Sequence, residues 1–425
     1  MYATLMDEIS KEIQEANLGI KMPNSDEKIG CLLWMDDVIL ITDNDQEMQT
    51  MLDKTDDISK RYHIQFGKDK SKIMKIGPKI PKNNFTLGTM EMEYTDNYKY
   101  LGKTLNNKLT MTNHITETKS KAEAAYQTVL AIAGNQNFKE IEMETFWELL
   151  KTCIVPIITY AGEVCNPNKA ETKKINGILD NIIRRILMVP QTTPREVLYM
   201  ETGLLDIQTT TDKNRIMMAN RLDKNQDKLA DKMMKINGKK SWNKQLQQTK
   251  ETYKITTIDM QGTKRNVKRN ITPKINCTFR ERIDTDGENK SKVKYLKQGI
   301  KTWRPNNKPT YMAKLTRKDC STIFKARTRM TEIKDNFRGM YTDNICRACG
   351  KTNETQEHIL DKCPSIHIYQ TTTTTKTDAF SEDPDHLKTV AHKIRTTLAR
   401  IPKNPTNSVQ PTNRTGNPAT RTCTQ

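Results

Sequence analysis

One stretch near the N-terminus restricts the possible folds more than any other: Gly30-Cys-Leu-Leu-Trp-Met-Asp-Asp-Val-Ile-Leu-Ile-Thr42. Two short apolar, β-prone runs, Cys31 to Trp34 and Val38 to Ile41, flank the adjacent carboxylates Asp36 and Asp37. This pattern predicts a tight hairpin in a buried sheet, with acidic residues at its turn. Two carboxylates on a rigid hairpin suit Mg²⁺, which prefers oxygen ligands and shares its coordination with substrate phosphates. The alternative is that they only cap the turn, where Asp is common.

The charge of the chain indicates a polyanionic partner. Its 425 residues include 70 Lys and Arg against 51 Asp and Glu, a net charge of +19. A chain this basic most often binds nucleic acid, although a lysine-rich composition can also follow from genome base bias. Only 35% of the residues are hydrophobic, so we expect part of the chain to be loosely packed.

The cysteine pattern and the hydropathy of the chain favour an intracellular location. Nine cysteines are spread thinly and form no pattern of a secreted disulfide framework. No apolar run reaches transmembrane length, and charges interrupt the N-terminus where a signal peptide would be apolar. We therefore expect no membrane association and an intracellular protein of the nucleus or cytoplasm, not a secreted one.

The first hundred residues alternate between helical and strand-like patterns. We expect an amphipathic helix over 2–18, and after the hairpin a second helix that Asn44 caps, with Glu47 at capping-box spacing. A basic turn containing Lys70 follows. Then come a hairpin over 85–94 and a strand over 98–105 that a glycine interrupts.

This order of elements resembles the C-terminal half of the reverse-transcriptase palm of non-LTR (LINE-like) retrotransposons. Trp34-Met35-Asp36-Asp37 matches the position of that family's Tyr/Phe-Ala-Asp-Asp box, with Trp for the aromatic and Met for the small residue. The resemblance implies that Asp36 and Asp37 hold Mg²⁺ and that Lys70 protonates or stabilises the pyrophosphate leaving group. It also implies that Tyr100 and Gly102 belong to the strand that grips the primer. From the residues alone, Lys70 is equally well a solvated surface lysine.

The next part of the chain has a helical period. We expect helices over 114–133, over 138–155 with Pro156 closing it, and over 171–188, then a short helix that Gly203 ends. The run from Ile157 to Glu163 resembles the family's Pro-x-x-x-Tyr-Gly-x-Glu stretch. A helical bundle after the palm is what this family uses as a thumb.

A basic stretch with interleaved aromatic residues follows. The cations that we single out for nucleic-acid binding are Lys264, Arg265, Lys268 and Arg269, and the aromatics are Trp242, Tyr253 and Trp303. Basic residues beside aromatics hold a nucleic-acid strand by phosphate contact and base stacking. A flexible basic linker is at least as consistent with this composition.

A second informative motif is Cys346-x2-Cys349-x8-His358-x4-Cys363. Three thiolates and one imidazole are the ligand set of a closed tetrahedral Zn²⁺ site, whereas the alternative is four unrelated reduced residues. The segment also resembles the C-terminal zinc-binding region of the same retrotransposon proteins. The resemblance rests on these ligands and on the neighbouring motifs Lys325-Ala-Arg-Thr-Arg329, Asn336-Phe-Arg-Gly339 and Glu354-Thr-Gln-Glu-His358.

Together these features predict an α+β fold with five regions. They are the C-terminal part of a reverse-transcriptase palm (1–105), a helical thumb-like region (106–235), a basic connector (236–325), a small zinc module (326–368) and a mostly disordered tail (369–425). The implied reaction is RNA-directed DNA synthesis with Mg²⁺, an RNA template, a DNA primer or target and deoxynucleotides. No obligate protein partner can be deduced.

A further catalytic Asp of the family's palm, and its template-binding motif, do not fit upstream of residue 30. We therefore expect a polymerase truncated at its N-terminus and inactive alone. The alternative is a non-catalytic, zinc-dependent nucleic-acid-binding protein derived from such an element.

Overall fold

The structure, a computed structural model, describes residues 2–23, 26–77, 83–132, 143–225, 236, 241–300, 302–367 and 378–402. The chain divides into two compact units. The first contains Met1–Tyr126, Thr152–Leu179 and Asp206–Thr278, and the second contains Gln127–Lys151, Asp180–Leu205 and Phe279–Gln425. Each unit is therefore built from three separate stretches of sequence. Of the predicted disordered tail, residues 369–377 and 403–425 lie outside the described residues.

The first unit begins with a helix, a set of short strands and a second helix. These elements are α1 (Tyr2–Glu15), β1 (Ile20–Lys21), β2 (Lys28–Ile29), β3 (Cys31–Trp34), β4 (Asp37–Leu40), α2 (Asp45–Arg61), β5 (Lys72–Ile73), β6 (Thr86–Leu87), β7 (Met90–Glu91), β8 (Glu93–Tyr94), β9 (Asn97–Tyr100) and β10 (Lys103–Asn106). The strands pair two by two: β1–β2, β3–β4, β6–β7 and β9–β10 are antiparallel, and β5–β8 is parallel. The mixed helix-and-strand class is confirmed.

The predicted β3–β4 hairpin is present, and α1 and α2 cover it. Ile9, Ile13, Met51 and Ile58 from the two helices are fully buried, and the apolar side chains of the hairpin, such as Leu33, pack against them. The strands are only half-buried, however, and they pair with each other alone among the strands that the structure describes. The expected buried sheet is therefore wrong in extent, although the hairpin itself is confirmed.

Asn44 caps α2 as the sequence predicts, since its side-chain oxygen accepts from the backbone N–H groups of Gln46 and Glu47. Glu47 does not complete a capping box. Its carboxylate instead accepts from Lys28 Nζ (2.6 Å) and from the backbone N–H of Gly19 (3.1 Å), and these bonds lower its pKa. Glu47 thus fastens the β1–β2 hairpin to the start of α2.

The stretch predicted as one interrupted strand is a tight hairpin instead. β9 pairs with β10, with Tyr100 opposite Lys103 and a two-residue turn between them. Leu101 and Gly102 in this turn have φ angles of +46° and +77°. Two successive positive φ values fit the twist of a two-residue hairpin, so the glycine reverses the chain where we expected it only to interrupt the strand.

From residue 112 onward the described chain is largely helical. The helices are α3 (Thr112–Ile132), α4 (Met143–Leu149), α5 (Val155–Thr159), α6 (Lys169–Ile186), α7 (Arg195–Thr202), α8 (Ile207–Asn225), α9 (Trp242–Thr252), α10 (Lys264–Gly287), α11 (Ser291–Gly299), α12 (Tyr311–Lys314), α13 (Arg317–Thr328), α14 (Pro364–His367) and α15 (Pro384–Ala399). The helices predicted over 114–133 and 171–188 and the short helix ended by Gly203 are confirmed as α3, α6 and α7.

Pro156 does not close a helix, which corrects the sequence expectation. A π-helical turn, Leu150–Ile154, joins α4 to α5, and Pro156 lies in the first turn of α5. Proline is tolerated there because the first N–H groups of a helix have no intrahelical acceptor. Residues 138–142 of the predicted helix lie outside the described residues.

Each unit has its own apolar core among the helices. In the first unit, Ile216 of α8, Leu246 of α9 and the α10 residues Val267 and Ile271 form one buried cluster. In the second unit, Trp147 of α4 is 1% exposed and donates to the backbone carbonyl of α12 at Met312 (2.8 Å). No helix in the described part of the chain is long and apolar enough to cross a membrane.

Candidate functional site

The two candidate catalytic carboxylates lie where the sequence predicts them, at the turn of the β3–β4 hairpin. Asp36 is in the turn, and Asp37 is the first residue of β4, opposite Trp34. Both carboxylates are exposed, as are Trp34 (57%) and Met35 (71%) beside them. The hairpin thus presents two oxygen-rich side chains to solvent on a short, helix-supported loop, an arrangement that suits a hydrated divalent cation.

Strand β9 brings the other palm-like candidates close to this hairpin. Tyr100 lies near Asp37: burial and the Asp37 carboxylate raise the pKa of its phenol. Two residues earlier, the Tyr98 hydroxyl donates to the backbone carbonyl of Lys70 (2.9 Å), which fixes the basic turn. Residues i and i+2 of a strand point to the same face. Tyr98, which fixes the Lys70 turn, and Tyr100, whose phenol is affected by the Asp37 carboxylate, therefore lie on one face of β9.

A complete metal site of carboxylates is not assembled around this hairpin by the described residues. The only group of three or more His, Cys, Asp or Glu side chains among them that could hold a metal is the Cys₃His cluster in the second unit. Asp36 and Asp37 therefore offer two carboxylates, which suit one corner of a Mg²⁺ site. Two-metal phosphoryl transfer needs several such ligands at fixed positions.

The four cations singled out in the sequence form one face of the first turns of α10. Lys264, Arg265, Lys268 and Arg269 are all exposed, at spacings of one and four residues that place them together on a helix. Val267 on the opposite face is fully buried. We call these four residues the α10 basic face.

Lys213 of α8 adjoins the α10 basic face, and the sequence did not single it out. Its side chain is half-buried, and burial together with neighbouring Lys268 lowers its pKa. A lysine held near another cation contributes to a local positive potential, which attracts a polyanion. No sequence signal separated Lys213 from the other lysines of this basic chain.

Two of the three aromatic residues that the sequence analysis singled out with these cations are buried. Tyr253 and Trp303 are 3% and 8% exposed, and each donates to a buried or half-buried carboxylate: Tyr253 to Asp212 (3.0 Å), Trp303 to Asp284 (3.1 Å). Trp242 is half-buried and donates to the carbonyl of Glu163 (2.8 Å). Base stacking on Tyr253 and Trp303, one of the sequence-based interpretations, is therefore wrong, whereas for the half-buried Trp242 it stays a prediction.

Cys346, Cys349, His358 and Cys363 come together in the second unit, as the spacing predicts. Their ligand atoms all lie within 4.8 Å of one another. The Sγ atoms of Cys346 and Cys363 are 3.9 Å apart, and Cys349 Sγ is 3.4 Å from His358 Nε2. Zn–S bonds of ~2.3 Å at tetrahedral angles place two sulfurs ~3.8 Å apart. The cluster therefore fits a tetrahedral zinc ion in both chemistry and spacing.

The backbone shapes this cluster from two sides. The backbone N–H of Gly350, which has a φ angle of +67°, donates to the Cys346 carbonyl (2.8 Å) and closes the loop that carries the first two cysteines. His358 begins a π-helical turn, His358–Lys362, and Cys363 directly precedes α14. Cys346 and Cys363 are buried, whereas Cys349 and His358 are half-buried.

The thiols in the cluster differ in acidity. Burial raises the pKa of Cys349, but hydrogen bonds from the backbone N–H groups of Lys351 and Thr352 outweigh it and lower the pKa to about 6. For Cys363, burial and the neighbouring Cys346 sulfur raise the pKa to about 12. The Cys346 sulfur thus disfavours charge on Cys363, and a bound divalent cation would remove that penalty because a coordinating thiol is deprotonated.

Two neighbouring motif residues, Glu354 and Gln356, are structural supports for the cluster. Glu354 is fully buried, binds the Arg347 guanidinium (Oε1–Nη2 2.6 Å) and accepts from the backbone N–H of Lys334 (3.0 Å). Gln356 donates to the Ala326 carbonyl (2.8 Å). The sequence pattern singled out Glu354 but not its role, and it did not single out Gln356, because buried polar partners are chosen by tertiary packing.

The arginines of the motif Lys325-Ala-Arg-Thr-Arg329 do not form an exposed cationic surface. Arg327 is 1% exposed and pairs with Glu201 of α7, which is fully buried. Neither Glu201 nor this pairing was identified from the sequence, since a buried carboxylate in an otherwise ordinary helix gives no local signal. Arg329 pairs with Asp335 (2.5 Å).

Comparison with known proteins agrees with the first of the two candidate sites. Residues 1–105 match the family model described as reverse transcriptase (RNA-dependent DNA polymerase). No curated protein matches the chain. The matched residues contain the β3–β4 hairpin, the Lys70 turn and strands β9 and β10. Residues 1–105 are thus similar to reverse transcriptases, and the rest of the chain lies outside this match.

Proposed function

We propose that this chain is the C-terminal portion of a non-LTR retrotransposon reverse transcriptase, which takes part in RNA-directed DNA synthesis on a nucleic-acid template inside the cell. The observation that carries the proposal is the exposed Asp36–Asp37 turn within a domain that matches the reverse-transcriptase family. The Cys₃His cluster and the α10 basic face, both outside the match, supply the features that favour the non-LTR subtype.

In this proposal Asp36 and Asp37 hold one side of the catalytic magnesium site. Mg²⁺ bound there supplies charge stabilisation for the transferring phosphoryl group. Lys70 lies on the turn that Tyr98 fixes, and its ammonium interacts with the pyrophosphate leaving group. Tyr100 and Gly102 form the hairpin that approaches the primer from the Asp37 side.

The Cys₃His cluster binds zinc in a structural role. Four protein ligands leave no position for a reacting water, which is typical of structural rather than catalytic zinc sites. The surrounding hydrogen bonds from Arg347 and Lys334 to Glu354 order the loop that carries the cysteines. The α10 basic face, with Lys213, binds the phosphate backbone of template or primer without reading sequence.

The chain alone is expected to bind nucleic acid but not to polymerise at a useful rate. Positioned metal ions carry phosphoryl transfer, and Asp36 and Asp37 are the two carboxylates that this hairpin supplies for them. A primer-extension assay with Mg²⁺, an RNA template and residues 1–425 tests this expectation. The parallel sample is the same chain preceded by a palm segment that carries a further carboxylate.

Extension should occur only in the longer protein, and Asp36→Ala should abolish it there. Asp43→Ala is the matched control, because Asp43 is an exposed carboxylate between β4 and α2. Clear extension by residues 1–425 that Asp36→Ala removes would contradict the proposed incompleteness. Extension by neither protein, with binding retained, would instead favour a non-catalytic nucleic-acid-binding protein.

A further inference from the structure

A side chain from outside the reverse-transcriptase match contacts the tip of the β9–β10 hairpin. The Tyr160 hydroxyl donates a 2.5 Å hydrogen bond to the backbone carbonyl of Leu101. The ring of Tyr160 also lies against Gly102, since a Cβ added to that glycine would be 3.4 Å from Cε1 of the ring. One tyrosine therefore contacts both central residues of the turn.

This turn needs an external support. Leu101 has a φ angle of +46°, a conformation that costs a non-glycine residue of the order of 1 kcal/mol. The carbonyl of a central turn residue lies outside the strand ladder, so the β9–β10 pairing does not fix its direction. The hydrogen bond from Tyr160 does fix it.

Tyr160 itself stands on an anchored loop. Arg215, 3% exposed, donates to the carbonyls of Glu163 (3.2 Å) and Cys165 (2.9 Å), and the Trp242 ring N–H donates to Glu163 as well. These bonds hold the backbone that follows Tyr160 against α8 and α9. The hydroxyl of Tyr160 is therefore positioned by the helical part of the first unit.

The same loop contacts the hairpin a second time. Lys103, the first residue of β10, donates from its Nζ to the Sγ of Cys165. On the opposite strand, burial and the Asp37 carboxylate raise the pKa of the Tyr100 phenol. The loop that begins at Tyr160 therefore contacts this hairpin both at its turn and at the first residue of β10.

We propose that Tyr160 is a positioning residue for the 3′ end of a primer, because its hydroxyl fixes the Leu101–Gly102 turn of the matched residues 1–105, which also contain the Asp36–Asp37 carboxylates. This inference rests on the proposed function. The hydroxyl acts through the turn and touches no reacting atom. Half of the Tyr160 side chain remains exposed at 51%, so the turn and the ring together present one surface to a bound strand.

The test measures recognition of a primer terminus rather than binding in general. The full chain is titrated into a DNA primer annealed to a longer RNA template, which gives a recessed 3′ end, and into a blunt RNA–DNA duplex. The terminal primer base is 2-aminopurine, so its fluorescence reports the surroundings of the 3′ nucleotide. The wild-type chain should bind the recessed end more tightly than the blunt duplex.

Tyr160→Phe removes only the hydroxyl and retains the ring. It should lower the preference for the recessed end about fivefold, as expected for the loss of one hydrogen bond, and should leave affinity for the blunt duplex unchanged. Tyr94→Phe is the matched control, because that phenol also donates to a backbone carbonyl, at Asn83 (2.7 Å). Circular dichroism and thermal unfolding establish that both variants are folded.

The outcomes separate this inference from the function on which it rests. If the wild-type chain shows no preference for a recessed end, the proposed primer engagement fails and the role of Tyr160 fails with it. If the wild type shows the preference and Tyr160→Phe retains it, or Tyr94→Phe loses it equally, only the role of Tyr160 is overturned.

Discussion

Replacing Arg327 with methionine should strongly destabilise the second unit. The guanidinium of Arg327 makes a bidentate pair with Glu201, with Nε–Oε2 at 2.9 Å and Nη2–Oε1 at 3.0 Å, and donates to the Ala379 carbonyl (3.1 Å). It also lies 4.5 Å from the ring centre of Phe380 and 5.0 Å from that of Tyr311. One buried side chain thus joins α7, α12, α13 and the segment before α15.

The magnitude follows from what methionine leaves behind. Both partners are 1% exposed, so removing the guanidinium leaves a buried carboxylate without a counter-charge, which typically costs ~3–5 kcal/mol. Burial and the Glu201 carboxylate raise the pKa of Tyr311, so its phenol stays protonated and still donates to Glu201. We therefore expect the free energy of unfolding to fall by an amount near the lower end of that range, ~3 kcal/mol. The pair Arg327→Met with Glu201→Gln should recover about half of it, because no buried charge then remains.

Urea unfolding of the full chain measures the effect, and Lys388→Met is the control. Lys388 of α15 pairs with Asp385 (3.1 Å), and the two side chains are 53% and 88% exposed. An exposed ion pair is worth ~0–1 kcal/mol, so this variant should unfold nearly as the wild type does. Equal losses for Arg327→Met and Lys388→Met, or no recovery in the double variant, would refute the argument from buried charge.

Three further predictions concern metal, salt and pH. The purified chain should hold about one zinc ion, and either chelation or Cys363→Ser should lower the midpoint temperature of thermal unfolding. Unchanged stability after chelation would contradict a structural zinc site. Nucleic-acid affinity should fall steeply as the salt concentration rises, and the double variant Lys268→Glu, Arg269→Glu should reduce the slope of log K against log salt by about two. An affinity that does not depend on salt would contradict the electrostatic interface. Burial raises the pKa of Asp361 from 3.8 to about 6, so its charge opposes folding above pH 6 and not below about pH 4. Asp361→Asn should therefore stabilise the chain by about 1–2 kcal/mol at pH 7 and change nothing at pH 4, as pH-dependent unfolding would show.

Elements with a strong local signal were predictable from the sequence. The β3–β4 hairpin, the Asn44 cap and the Gly203 helix end each depend on a few adjacent residues, and the structure confirms all three. The π-helical turn before Pro156 was not predictable, because a proline in the sequence is compatible both with the end of one helix and with the first turn of the next. The domain boundaries and the disordered tail stay predictions.

The two candidate sites differed in how far the sequence could specify them. The Cys₃His set is a local spacing, and close spacing of soft ligands is itself the chemical signal, so the sequence identified all four residues that the structure brings together. The aromatics interleaved with the basic stretch were misread for the opposite reason. Composition does not show which side chains are buried, and Tyr253 and Trp303 are 3% and 8% exposed.

The sequence by itself determined which chemistry this chain carries: paired carboxylates in a hairpin, a four-ligand metal motif and a net positive charge. The tertiary structure alone decided which distant residues meet. The Tyr160–Leu101 bond and the Arg327–Glu201 pair join residues 59 and 126 positions apart. Such partners are selected by packing and by the cost of burying an unpaired polar group. Neither effect produces a periodic pattern that can be recognised in the sequence.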